Sequence, residues 1–157
     1  MCSDITPADG LKITQEAKRW KGTEYKKVGD QSDITKGGDC SGTTWRIYTN
    51  AGFPYEYRNT ATFAAYAEKE QKFRELDAAD PRQEGDILLW SDHMAIYCTF
   101  ASDVENSFTD RVNPKTQKHW SQKNDMWTAT KPGGLPYEPA KAEYFKPTAP
   151  RVFRYQK

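Results

Sequence analysis

Cys40 is the residue around which a reaction can be built. It stands in Gly37-Gly38-Asp39-Cys40-Ser41-Gly42. A thiol attacks as its thiolate, and a helix N-terminus lowers the cost of that charge through the helix dipole and free N–H groups. Asp39 is a good N-cap and the apolar positions that follow it recur at helical spacing, so Cys40 is expected in the first turn of a helix. Small neighbours keep the approach to sulfur open. Backbone N–H groups around Asp39 and Ser41 would face an oxyanion formed there. Such a nucleophile needs a base, and His93 opens a predicted strand in which an imidazole would take the thiol proton and return it to a leaving amine. The imidazole in turn needs an orienting polar group on the neighbouring strand, for which Glu105 and Asn106 are the candidates. Cys98 lies in the apolar run Ala95-Ile96-Tyr97-Cys98 and reads as core, and Cys2 is terminal.

The elements that must hold these groups are legible in outline. Thr6-Pro7 starts a helix whose inner face is Ile13, Ala17 and Trp20, and Gly22 stops it. The stretch from Tyr25 to Gly38 has no period and reads as a loop. The helix after Asp39 presents Thr44, Ile47, Tyr48 and Ala51 and ends at Gly52. A third helix, capped by Asn59 or Thr60, runs to about Lys72. Ile87–Trp90 is a buried strand, His93–Phe100 a second and Asp103–Phe108 a third. The segment 111–150 is polar, rich in Pro and Gly, and reads as a long loop inserted into a single domain spanning 1–157. Its aromatics Trp120, Trp127 and Tyr137 are candidates to line a groove. Arg151–Tyr155 alternates and would close the sheet as an edge strand. Helices first and strands after them argue for an α+β fold.

Composition narrows the classes. The chain has 157 residues, enough for one domain with a real core. Its 23 basic and 22 acidic residues leave a net charge of +1, without the basic footprint of a nucleic-acid binder. No apolar run is long enough to span a membrane. With 3 cysteines and 2 histidines and no C-x-x-C, neither a disulfide framework nor a zinc site is expected. Gly37-Gly38 and Gly133-Gly134 are too short for a phosphate loop, so no metal or cofactor is implied. The first twenty residues lack the charged and apolar regions of a secretory signal. Met1-Cys2-Ser3 is what a mature lipoprotein start would look like behind an initiating methionine.

Taken in order, these residues resemble the NlpC/P60 cysteine peptidases. Trp20-Lys21-Gly22-Thr23-Glu24-Tyr25 is similar to the family's Gly-Thr-Pro-Tyr segment, with Glu24 in place of Pro. Asp39-Cys40-Ser41-Gly42 resembles the nucleophile motif. Gly85-Asp86-Ile87-Leu88-Leu89-Trp90 and His93-Met94-Ala95-Ile96-Tyr97 resemble the two strands around the base, and Arg151-Val152 the last strand. The resemblance implies a papain-like fold, with N-terminal helices carrying Cys40 packed on an antiparallel sheet carrying His93. It implies Tyr25 beside the thiol and a third member on the strand after the base. Ungapped counting puts Glu105 in that role, and a slip of one residue puts Asn106 there.

The implied activity is hydrolysis of an amide in peptidoglycan stem peptides, between the D-Glu γ-carboxyl and a diamino acid, through a thioester. The alternatives are a CHAP-type amidase cutting the sugar–peptide or cross-bridge bond, and a non-catalytic module that binds wall peptides. The resemblance further implies a monomer acting in the cell envelope or secreted, as a lipoprotein hydrolase or as a toxin with an immunity protein. The segment 111–150 has no counterpart in the family pattern.

Overall fold

The structure is a computed structural model that describes residues 2–100, 111–112, 119–120, 124–129, 136–145 and 148–157, with backbone only at 111–112, 119–120 and 144–145. Helix α1 (Pro7–Arg19) begins with a reciprocal cap. Thr6 Oγ1 accepts from the Asp9 N–H and Asp9 Oδ2 accepts from the Thr6 N–H, each at 3.1 Å. This satisfies two of the donors a helix start leaves open. Its inner face, Ile13 and Ala17 with Trp20 just beyond, packs on α2 (Cys40–Ala51), which contributes Ile47 and Tyr48. Gly52, at φ 99°, ends α2 in the left-handed conformation that glycine adopts without strain. Helix α3 (Phe63–Glu70) starts later than the sequence suggests and stops before Lys72. Asn59 Oδ1 accepts from the Thr62 N–H and hydroxyl at 3.0 Å, closing a turn ahead of the helix instead of capping it directly.

The strands are β1 (Phe73–Glu75), β2 (Ile87–Trp90), β3 (His93–Tyr97), β4 (Arg111–Val112), β5 (His119–Trp120), β6 (Met126–Thr128), β7 (Glu138–Ala140) and β8 (Arg151–Tyr155), with a short helix α4 (Ala142–Phe145) before the last. Six of them form one antiparallel sheet in the order β1-β8-β2-β3-β6-β7, and β4 pairs with β5 apart from it. The fold is therefore α+β. Two readings change. Segment 111–150 is not simply a loop, because its apolar pieces Met126–Thr128 and Glu138–Ala140 extend the main sheet beside β3. Nor is Arg151–Tyr155 an edge strand: it lies between β1 and β2, and the edge belongs to Phe73–Glu75, a strand too short to show a period. The expected strand 103–108 lies outside the described residues.

The sheet is covered on both faces. Ile87, Leu89, Met94, Ile96 and Trp127 face the helices in the main core, while Leu88, Trp90, Ala95, Met126, Ala140 and Ala142 form a second cluster behind. This explains why β2 is apolar at every position rather than alternating. A buried pair ties the centre together: Arg154 donates from Nε and Nη2 to the two oxygens of Asp86 at 2.9 Å each. The Gly-Asp motif is thus structural. Asp86 also accepts from the Gln83 N–H at 2.7 Å, and the Gly85 carbonyl accepts from the Tyr48 hydroxyl. Helix α1 sits so close to this turn that a Cβ on Gly10 would lie 1.8 Å from the Glu84 carbonyl oxygen. No helix among the described residues is long and apolar enough to cross a membrane.

Candidate functional site

Cys40 is the first residue of α2, and Asp39 fixes that start. One carboxylate oxygen of Asp39 accepts from the Gly42 N–H and the other from the Gly29 N–H, both at 2.8 Å. The second bond tethers the loop before the helix to the helix itself. Gly42 allows this closeness, since a Cβ there would stand 2.1 Å from the Gly29 carbonyl oxygen and from Ser32 Oγ. Asp39 is buried and its oxygens are committed to backbone donors, so it shapes the site rather than facing a ligand. Ser41 is buried as well. Its hydroxyl lies 3.1 Å from that of Tyr57 and 3.5 Å from Asp39 Oδ1.

The thiol is partly buried against the main core. Burial pushes it up to about 11, aided by the charge of Asp39, while the N–H groups of Met94, Ser41 and Cys40 itself favour the thiolate without reversing the outcome. The resting group is a neutral thiol with backbone donors gathered around its sulfur. The same contact sets Cys40 against the start of β3, one residue from His93.

Two tyrosines complete the surroundings. A parallel bridge between Tyr25 and Gly38 fastens the loop strand beside the nucleophile motif. Burial raises the Tyr25 phenol, and the nearby Cys40 thiol and Asp39 carboxylate add to the effect. Tyr57 is shifted upward for the same reasons, burial first, and its ring meets Trp45 edge-on at 5.6 Å. Tyr57 is a residue that sequence reasoning missed: it reaches Ser41 through the long connection after α2, and no spacing rule covers that.

His93 is 8% exposed. Its ring lies 5.7 Å from the Trp90 ring, its partner across the β2–β3 ladder, and its Nε2 is hydrogen-bonded to Thr128 Oγ1 at 2.6 Å. Thr128 is a residue that sequence reasoning missed. Glu105 and Asn106 lie outside the described residues. The structure thus brings Cys40, Asp39, Ser41, Tyr25 and Tyr57 together, with the Met94 N–H joining them to β3, and it sets the His93 ring against Trp90 and Thr128.

The groove aromatics turn out differently. Trp127 and Tyr137 stack at 5.8 Å and are buried in the core, and the side chain of Trp120 is outside the described residues. Cys98 is a core residue whose thiol donates to Glu84 Oε2 at 3.1 Å, and Cys2 is exposed. Among the described residues no group of three or more His, Cys, Asp and Glu is gathered to hold a metal ion. Compared with known proteins, the chain matches no family model and no curated protein.

Proposed function

We propose that this protein is a cysteine hydrolase of papain-like, NlpC/P60 type that cleaves an amide in peptidoglycan stem peptides, with Cys40 as nucleophile and His93 as base. The observation that carries the reading is the position of Cys40. It opens a capped helix, its sulfur is ringed by backbone N–H groups, and one of these belongs to the residue after His93. The ordered resemblance of the surrounding motifs supplies the substrate class.

In this reading His93 takes the proton from the neutral thiol as sulfur attacks the carbonyl carbon. The N–H groups near sulfur hold the oxyanion. Collapse of the tetrahedral species expels the amine, which receives the proton from the imidazolium, and leaves a thioester. Water, deprotonated by the same imidazole, releases the acid and the thiol. Tyr25 walls the site. The substrate places the reaction in the cell envelope, on the producing cell's own wall or on a rival's, and in the latter case an immunity protein is the expected partner.

Digestion of purified peptidoglycan by the protein and by Cys40→Ala, read by mass spectrometry, tests this. Fragments cut between D-Glu and the diamino acid, made only by the unmodified protein, are the expected result. Cuts at the sugar–peptide or cross-bridge bond would reassign it as a CHAP-type amidase. No fragments from any wall type would point to a module that binds wall peptides.

A further inference from the structure

Part of the segment 111–150, which has no counterpart in the family pattern, is tied to the loop beside the thiol. Tyr137 exchanges two main-chain hydrogen bonds with the turn after α1. Its carbonyl accepts from the Gly22 N–H and its N–H donates to the Thr23 carbonyl, both at 2.8 Å. A little further on, the same loop is fixed to the nucleophile motif. Gly38 donates to the Glu24 carbonyl at 3.0 Å and accepts from the Lys26 N–H at 3.1 Å, which sets Tyr25 alongside it. The stretch 22–26 is therefore pinned at one end by Tyr137 and at the other by Gly38. The Tyr137 ring anchors the first pin. It is buried and stacks on Trp127 with the two planes 8° apart. Trp127 in turn pairs with Ile96 on β3, the strand that His93 opens. The Tyr137 hydroxyl has no hydrogen-bond partner among the described residues, so what this side chain does is done by its ring and its main chain.

We propose that Tyr137 is a positioning residue for Tyr25: by clasping Gly22 and Thr23 to the sheet, it holds Tyr25 beside Cys40 and fixes that wall of the site. The clasp runs from β3 through Trp127 and Tyr137 to Tyr25 and Gly38, and so joins the two halves of the site by a route separate from the packing of α2 on β3. A loop pinned at both ends has little freedom left to lose when a substrate settles against it. The inserted segment is then part of the frame of the site. That this wall serves catalysis rests on the hydrolase reading, whereas the clasp does not.

Amide hydrogen exchange in the unmodified protein tests the clasp without any variant. Segments that hold one another open together. The amides of Gly22, Lys26, Gly38 and Tyr137 are therefore expected to exchange as one unit, with one denaturant dependence. A denaturant dependence for Gly22 and Tyr137 that differs from that of Lys26 and Gly38 overturns the proposal. Iodoacetamide labelling of Cys40, resolved from the other cysteines by mass spectrometry, is the second arm. Tyr137→Leu keeps an apolar side chain but loses the flat stack, and should speed labelling about 3- to 10-fold at fixed pH, as Tyr25→Ala does. Tyr137→Phe should leave the rate unchanged. The double variant of Tyr25→Ala and Tyr137→Leu should label no faster than Tyr25→Ala alone, because both act on one wall. Rates that multiply would show two independent effects and overturn the proposal, as would an unchanged rate in a folded Tyr137→Leu protein. If peptidoglycan is not cleaved while exchange and labelling behave as expected, the hydrolase reading falls and the clasp stands.

Discussion

Burial, not the helix dipole, decides the state of Cys40. The thiol's ordinary value is 9.0, and in the fold it is pushed up to about 11. Iodoacetamide should therefore label Cys40 slowly at neutral pH, with a rate rising about tenfold per pH unit, and urea should return it to an ordinary thiol. An inflection below pH 8 in the folded protein would instead mean a thiolate held by an imidazolium. The sign for stability follows. Between the two values the folded state keeps a proton that the unfolded chain has lost, so stability falls as pH rises through that window. Cys40→Ala should show a shallower loss over the same range in urea melts.

At the level of elements, the start of α2 is the piece on which the site depends. Asp39→Ala removes the cap and leaves the N–H groups of Gly42 and Gly29 without their acceptor. We expect a loss of about 1–2 kcal/mol by denaturant unfolding, together with faster labelling of Cys40 as the first turn frays. A stability change below a few tenths of a kcal/mol would show that the tether to Gly29 contributes nothing.

This element was legible because its information is local: an Asp cap, small residues around the thiol and a glycine stop all lie within the helix and its flanks. The β2–β3 hairpin was legible for the same reason, being an apolar run, a two-residue turn and a second run. Thr128 was not legible. After Cys98 the chain forms the separate β4–β5 pair before its apolar segment at 126–128 joins the sheet beside β3. Adjacency there is set by tertiary pairing, and counting forward from His93 reaches residues 105 and 106 instead. The strand Phe73–Glu75 was missed because three residues carry no usable period.

Across the whole molecule, charged pairs join segments far apart in the chain. Arg154 and Asp86 are the most buried of those among the described residues. Burial raises the Asp86 carboxyl despite its partner, yet two parallel bonds of 2.9 Å are the geometry of an ionised pair. Arg154→Met should cost about 3–5 kcal/mol, since it strands a buried acid, and a loss under 1 kcal/mol would show that Asp86 protonates at little cost. Asp4 ties the N-terminal segment to Arg74 on β1 and to Gln156. The Arg74 guanidinium brings its carboxyl from 3.8 down to about 2. That contribution is complete above the unfolded value and is lost as pH falls from about 4 to about 2. Asp4→Asn should flatten the acid limb of the stability profile over this interval, though modestly, because the pair is half-exposed.

The segments at residues 3–4 and 156–157 are also held side by side. Ser3 and Lys157 exchange backbone hydrogen bonds at 3.0 and 2.9 Å, and Asp4 pairs with Gln156. Residues 3 and 157 therefore stand close enough to be joined by a few glycines, and the loop so closed can be opened elsewhere. A circular permutant cut in the exposed turn at Asp77–Asp80 should keep the same circular dichroism and the same Cys40 labelling profile. The order in which the sequence is read would then be shown to be independent of the shape it makes.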